Sequence, residues 1–534
     1  MLAYSNSFGG PEILDDPASI SKNPHIRSLW PISEAMTAPP QETVAGRPIV
    51  CLSLAINYQI SELDVWSYHA FNLAIHLLAG LSLFGIIRRT LRCERLVGAF
   101  GGAAEILAGV CALLWVLHPL QTGAVDYMIQ RAETMMGLFY LLTLYCAIRG
   151  MAGRREGLWQ IGAVVFCAVG MATKEVMVTA PIMVLVYDRV FAGRSFREIF
   201  ARRWKLYAGL AATWVVLALI VSQGPRNQTA GFAIEITPLQ YASGQCEVIM
   251  HYLRLAFWPH PLVLDYNWPV PSGPGEVLLP AVGIWILLAA TALALYRRPG
   301  VGFLGFWFFV ILGPTSSFLP IDDLAFEHRM YLSLAAVTTA LPLAAYAIGR
   351  RIAGKRQTVF VVAGLVVAAA VAAVLGWRTH VRNGHYSSAV SIWSETVNSA
   401  PHNFRAHGNL GWAHDRAGND EPALKSYAKA IELNPGFHAP RRNRGLLYLR
   451  NKQWDLAIAD FTRAIEILPL AADDYNSRAA AYLGKGDKER ALADVNKAIE
   501  LNPGFDMARQ NRRKLLQLMG RDSAPPDGPG RQSP

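Results

Sequence analysis

Between residues 67 and 377 the chain is a succession of apolar runs, many close to the ~20 residues a helix needs to cross a bilayer. No other feature limits the fold as strongly. In lipid every backbone N–H and C=O must find a partner within the chain, so such runs fold as bundled helices. Spans are expected at 69–87, 101–117, 134–148, 157–172, 176–187, 206–222, 277–296, 301–317, 330–348 and 358–377. The run at 176–187 is the shortest of the ten.

Charge alternates along the connections. Arg88, Arg89, Arg92 and Arg95 follow the first run, and Arg149, Arg154 and Arg155 follow the third. Arg189, Arg194, Arg197, Arg202, Arg203 and Lys205 follow the fifth, Arg297 and Arg298 the seventh, and Arg350, Arg351, Lys355 and Arg356 the ninth. The short intervening connections carry only Arg131, Lys174 and Arg329. By the positive-inside rule the basic set is cytoplasmic. The segment 9–66, the loop 223–275 and everything after the last span then face the other side. This pattern accounts for the net charge of +11 and argues against nucleic acid as a partner. The six cysteines show no metal-ligand spacing, and nothing recommends a Cys51–Cys246 disulfide.

From 386 onward the chain is polar and periodic. Gly411, Gly445 and Ala479 recur at a period of 34, as do Ala423, Ala457 and Ala491, and Tyr427, Phe461 and Val495. Ala430, Ala464 and Ala498 follow the same spacing, and Pro435, Pro469 and Pro503 close each unit. This is the tetratricopeptide pattern of paired antiparallel helices. Ala389, Trp393 and Pro401 fit the second half of an earlier repeat, and 505–519 reads as a capping helix. The expected organisation is a first outer loop at 1–66, a membrane domain at 67–378, repeats at 386–520 and a disordered tail at 521–534. A repeat stack offers a curved groove suited to a protein or peptide partner; the bland alternative is a buttress for the membrane domain.

The outer connections are rich in ionisable groups, which are costly near lipid and usually line a cavity or pathway. They include Asp15 and Asp16, His118, Asp126, Arg131 and Glu133, Lys174 and Glu175, Asp265, and Asp322, Asp323, Glu327, His328 and Arg329. His69, Asn72 and His76 share a face of the first span. Each has a structural reading. Asp15–Asp16 precedes PASI, a good helix start, so one Asp caps and the other stays free. Lys174 snorkels at an interfacial turn. Glu327 and Arg329 form an ion pair. The histidines lack a third metal ligand at convincing spacing.

The stretches SFGGPEILDDPASISKNPHIRSLW, AGRPIVCLSLAINYQI, SYHAFNLAIHLL, LHPLQTGAVDYMIQRAE, ATKEVMVTAPIMVLVYD, LVLDYNWP and FEHRMYL, followed by the repeats, resemble the transmembrane-and-tetratricopeptide-repeat family. The resemblance implies an all-α fold: a polytopic glycosyltransferase of C type, related to the protein O-mannosyltransferases, followed by an α-solenoid. It further implies transfer of a mannose-like sugar from a polyprenyl-phosphate carrier to protein Ser or Thr hydroxyls, on the extracytoplasmic side. Asp15 and Asp16 match the family's acid pair, and one of them would be the base for the acceptor hydroxyl. Arg131, Lys174 and Arg329 are candidate phosphate ligands, with Glu175, Asp265 and Glu327 as further substrate-site residues. The lipid-phosphate sugar serves as donor substrate and no cofactor is expected. A divalent metal stays open, although two adjacent acids do not make a full oxygen shell.

Two departures stand out. Gly123 follows HPLQT where relatives often carry Glu, and no full span precedes the first loop, which suggests a truncated start. Both favour the rival reading of a catalytically silent, membrane-anchored repeat scaffold; a transporter is the third class. The compact, Arg/Ala/Gly-rich chain points to a bacterial inner membrane, where the sequon Asn227–Gln228–Thr229 has no role.

Overall fold

A computed structural model describes residues 2–40, 42–152, 155–193, 195–222 and 236–521. The tail from 522, the sequon, Arg154 and Arg194 lie outside the described residues. The chain divides into two compact units, 1–392 and 393–534.

In the first unit helices α1 (Pro48–Ser61) and α2 (Trp66–Leu91) are followed by α3 (Ala104–Val116), α4 (Arg131–Ala152) and α5 (Glu156–Met171). Then come α6 (Ala180–Tyr187), α7 (Phe196–Ser222), α8 (Pro238–Phe257), α9 (Pro274–Arg297), α10 (Pro299–Leu312), α11 (Met330–Ala353) and α12 (Gln357–His385). Among the described residues, seven stretches are long and apolar enough to cross a membrane: Trp66–Leu91, Val97–Val116, Met128–Met151, Phe196–Ser222, Pro274–Arg297, Glu327–Ile352 and Gln357–His385. They coincide with seven of the ten expected spans. α5 and α10 are apolar but shorter, with 16 and 14 residues. The run at 176–187 is helical throughout but changes its winding: a 3-10 stretch at Glu175–Thr179 leads into α6, and a π stretch at Asp188–Ala192 continues it. Pro181 lies at the start of α6, and in the π stretch Asp188 is buried against Arg203 at 3.0 Å. α1 lies inside the expected first loop, where no helix is expected from the sequence; Pro48 opens it and its apolar face is buried.

Caps and glycines explain several joints. Thr237 and Gln240 form a reciprocal capping box at the start of α8. α9 and α10 fold back tightly on each other, and a Cβ at Gly302 would stand 2.2 Å from the Leu295 nitrogen, so only glycine fits there. The basic connections meet at one end of the bundle: Arg95 donates to the Gly193 carbonyl at 2.8 Å, and Arg350 donates to that of Gly98 at 3.1 Å. All six cysteines are free.

The unit boundary falls within α13 (Ala389–Ser399). The second unit stacks α14 (Phe404–Arg416) on α15 (Asp420–Leu433), α16 (His438–Arg450) on α17 (Trp454–Ile467) and α18 (Ala472–Lys485) on α19 (Lys488–Leu501), closed by α20 (Asp506–Leu518). Ala423, Ala457 and Ala491 are fully buried where the helices of each pair cross. Gly411 lies so near Tyr427 that a Cβ would come within 2.5 Å of the ring.

Candidate functional site

The acid pair is split by its surroundings. Leu14 takes a left-handed backbone conformation, φ +47°, which is strained for a side chain of its size. On the far side of that turn Asp15 is exposed and Asp16 is completely buried. Asp16 Oδ2 accepts from the Ile13 N–H at 3.0 Å, and Oδ1 accepts from the Ile129 N–H at 2.8 Å. The carboxylate thus ties the first loop to the connection between α3 and α4. Burial pushes its pKa well up, against the opposing pull of the two amides. Asp15 holds the N-cap position of the turn Asp16–Ser19 but makes no side-chain cap bond, so the capping role expected of the pair is not made. Its N–H donates to the Tyr127 hydroxyl at 3.1 Å. Burial, followed by the charges of Asp15 and Asp16, holds the Tyr127 phenol well above its usual range, so it stays protonated.

The first loop is anchored far from the acid pair as well. The Tyr4 hydroxyl donates to the Val116 carbonyl at 3.2 Å, Asn6 to that of His380 at 2.9 Å, and Asn383 to that of Ala3 at 2.9 Å. These bonds pin the loop to α3 and α12.

Cations gather nearby. Lys174 Nζ lies 2.5 Å from Glu133 Oε1, both buried. Arg47 reaches Glu175 at 4.0 Å and lies within charge-interaction range of both Glu133 and Asp15. His328 stands among Lys174, Arg329 and Arg47. Burial lowers the pKa of Lys174 and of Arg47, with Glu133 opposing in each case. Arg47 therefore links the acid pair to the buried Lys174–Glu133 pair. It was missed as a site residue, although a lone arginine at the foot of the apolar α1 was the available signal. Tyr127 was not named as a site residue either, although it stands within the stretch LHPLQTGAVDYMIQRAE that carries the family resemblance.

The other expected residues have different surroundings. Arg131 is wholly enclosed; it donates to Asn57 Oδ1 at 2.6 Å, Ser53 Oγ at 3.3 Å and the Tyr68 carbonyl at 3.1 Å, over the rings of Tyr68 and Phe71. It joins α1, α2 and α4. Arg329 donates to the carbonyls of Thr315, Leu324 and Asp323 and to the Tyr241 hydroxyl, clamping the 313–326 connection. It makes no ion pair with Glu327, which accepts instead from the Val263 N–H at 2.5 Å and the Tyr266 hydroxyl at 2.9 Å. Asp265 accepts from the Asn267 N–H within its own turn. Glu327 borders a narrow cleft with Gly123, Tyr127, His328 and Tyr386. A Cβ at Gly123 would lie 4.0 Å from Glu327 Oε2, so a glutamate there would bring two carboxylates together.

These features define a multi-pass helical membrane protein carrying a tetratricopeptide solenoid. Residues 378–436 and 442–504 match the tetratricopeptide repeat model. Protein O-mannosyl-transferase F38B6.6 of Caenorhabditis elegans is 22% identical over 458 residues, 82% of this chain and 62% of its own length. Protein O-mannosyl-transferase TMTC4 of Mus musculus is 24% identical over 490 residues, 80% of this chain and 64% of its own. Protein O-mannosyl-transferase tmtc2 of Xenopus laevis is 31% identical over 310 residues, 51% and 35% of the two chains. The chain is thus a relative of the transmembrane-and-tetratricopeptide-repeat proteins, and it spans less than two thirds of the length of these three. Among solved structures, MamA 41-end from Desulfovibrio magneticus RS-1 is 20% identical with a TM-score of 0.24, covering 25% of this chain and 75% of that one.

Proposed function

We propose that the membrane unit transfers a mannose-like sugar from a polyprenyl-phosphate carrier to Ser or Thr hydroxyls of proteins. The observation that carries this reading is the division of the acid pair: Asp16 is buried and bonded twice, leaving Asp15 exposed beside Tyr127 and near Arg47. The acceptor hydroxyl oxygen attacks the sugar C1 while its proton passes to the Asp15 carboxylate. The bond from C1 to the phosphate oxygen breaks, and its electron pair leaves on the phosphate. Arg47 and Lys174 supply the positive field that stabilises the leaving group, while Glu133 and Glu175 position them. Inversion at C1 needs a single carboxylate as base, which agrees with one exposed acid.

The relatives' names support protein O-mannosyl transfer. The positive-inside pattern supports a site on the extracytoplasmic face, and the Arg/Ala/Gly-rich composition is the ground for placing it in a bacterial inner membrane. The repeats fit recruitment of the acceptor protein. The test is reconstitution of the full chain in vesicles with radiolabelled polyprenyl-phosphate mannose and a Ser/Thr-rich peptide. Label is expected on the peptide, and Arg47→Ala is expected to raise the donor KM and lower kcat. The absence of any transfer, with wild-type protein folded and donor intact, would sink the proposal in favour of the silent scaffold, the reading that Gly123 favours.

A further inference from the structure

The repeat unit conserves more than its helix crossings. In one pair Arg444 of α16 holds Asp460 of α17 through two bonds of 2.7 Å. In the next, Arg478 of α18 holds Asp494 of α19 through two bonds of 2.8 Å. Each guanidinium also lies over tyrosine, Arg444 on Tyr448 and Arg478 on Tyr475 and Tyr482. An outer pair recurs in all three units: Lys429–Glu432, Arg463–Glu466 and Lys497–Glu500.

The first unit keeps the outer pair and lacks the inner one. One period before Arg444, Asp460 and Tyr448 stand Leu410, Ser426 and His414. Where the other units are filled by an ion pair on an aromatic ring, this one opens a cavity of about 550 Å³. That lies within the ~300–1,000 Å³ typical of ligand pockets. Leu410 and Val397 give it an apolar wall, and His407, His414 and Lys425 give it donors. The buried Nδ1 of His414 has no hydrogen-bond partner among the described residues. Glu432 also lines the cavity but is tied to Lys429 at 2.6 Å.

We propose that this cavity docks a peptide segment bearing one large apolar side chain flanked by carboxylates. The apolar side chain fills the space that the inner ion pair occupies in the other units, and the flanking acids meet the cationic edge at Lys425. A basic segment would leave Lys425 opposed by like charge. The site stands whether or not the membrane unit transfers a sugar.

The experiment uses the full chain in detergent and a fluorescein-labelled hexapeptide with a central Phe flanked by glutamates, read by anisotropy. Leu410→Arg with Ser426→Asp writes the neighbours' ion pair into the first unit, and its unfolding midpoint is expected to equal or exceed that of the wild type. Saturable binding is expected to the wild type. It should be at least tenfold weaker for the closed variant, for a Phe-to-Ala peptide and for a lysine-flanked peptide. Lys425→Glu, at an exposed position, gives a second readout if the closed variant misfolds: it should weaken the acidic peptide and favour the basic one. Equal affinity of wild type and closed variant, indifference to the peptide's charge, or no saturable binding would each overturn the proposal.

Discussion

Conversion of each acid to its amide separates the two roles proposed for the pair. In Asp16→Asn one amide N–H, from Ile13 or Ile129, loses its acceptor and meets an NH2 group instead. A buried charge-assisted bond is lost and a buried donor is stranded, at a combined cost of roughly 2–4 kcal/mol. Burial raises the Asp16 pKa, a penalty on its charged form that the neutral amide does not carry, so the cost lies toward the lower end. Asp15→Asn changes an exposed side chain that makes no cap bond, so its effect on stability is under about 0.5 kcal/mol. Its effect on transfer should be large, about 10²–10⁴-fold in kcat, the usual contribution of a positioned base. Thermal unfolding of the solubilised protein, paired with sugar transfer in vesicles, measures both. The expected pattern is a lowered midpoint for Asp16→Asn and lost transfer at a native midpoint for Asp15→Asn. Full transfer by a stable Asp15→Asn protein, or an unchanged midpoint for Asp16→Asn, would refute the division of labour.

Two further perturbations test the frame around the site. Arg131→Ala strands the acceptors on Asn57 and Tyr68 and should cost roughly 3 kcal/mol in thermal unfolding; a raised donor KM at unchanged stability would instead make Arg131 a phosphate ligand. Asp126, facing Ser7 and Arg382, is pushed up to about 7 by burial, from a usual 3.8. Its folded state binds the extra proton, so the associated stability is full below about pH 4 and is lost as pH rises through 7, with an upper bound of about 4 kcal/mol. Asp126→Asn should flatten that slope in unfolding midpoints taken across pH 4–8, and an unaltered slope counts against the assignment.

Much of the fold was legible because it rests on periodic signals. The period-34 small residues fall where the helices of each repeat cross, and seven apolar runs coincide with long helices. The run at 176–187 is legible as a helix, but hydropathy is blind to the passage from 3-10 to α to π winding between Glu175 and Ala192, where Asp188 is buried against Arg203. α1 was overlooked because a 14-residue apolar helix within a polar loop is too short to register as a span.

The site was legible as a set of charges but not as a set of roles. Arg131, Lys174 and Arg329 look alike in sequence, each an isolated cation on the outer side. What distinguishes them is set by neighbours distant in the chain. Arg131 finds Asn57, Ser53 and Tyr68 on α1 and α2, and Arg329 finds the carbonyls of its own connection. Lys174 meets a single carboxylate, Glu133, and remains near Arg47 and His328. The acid pair follows the same rule. Adjacent aspartates are equivalent on paper, and the Leu14 turn together with the Ile129 amide makes them unequal. The connection between α3 and α4 therefore belongs to the proposed reaction centre as much as the acid-bearing loop does. On the proposed mechanism a change at Tyr127 acts on Asp15 through its N–H, and a change at Ile129 acts through the Asp16 carboxylate beside it.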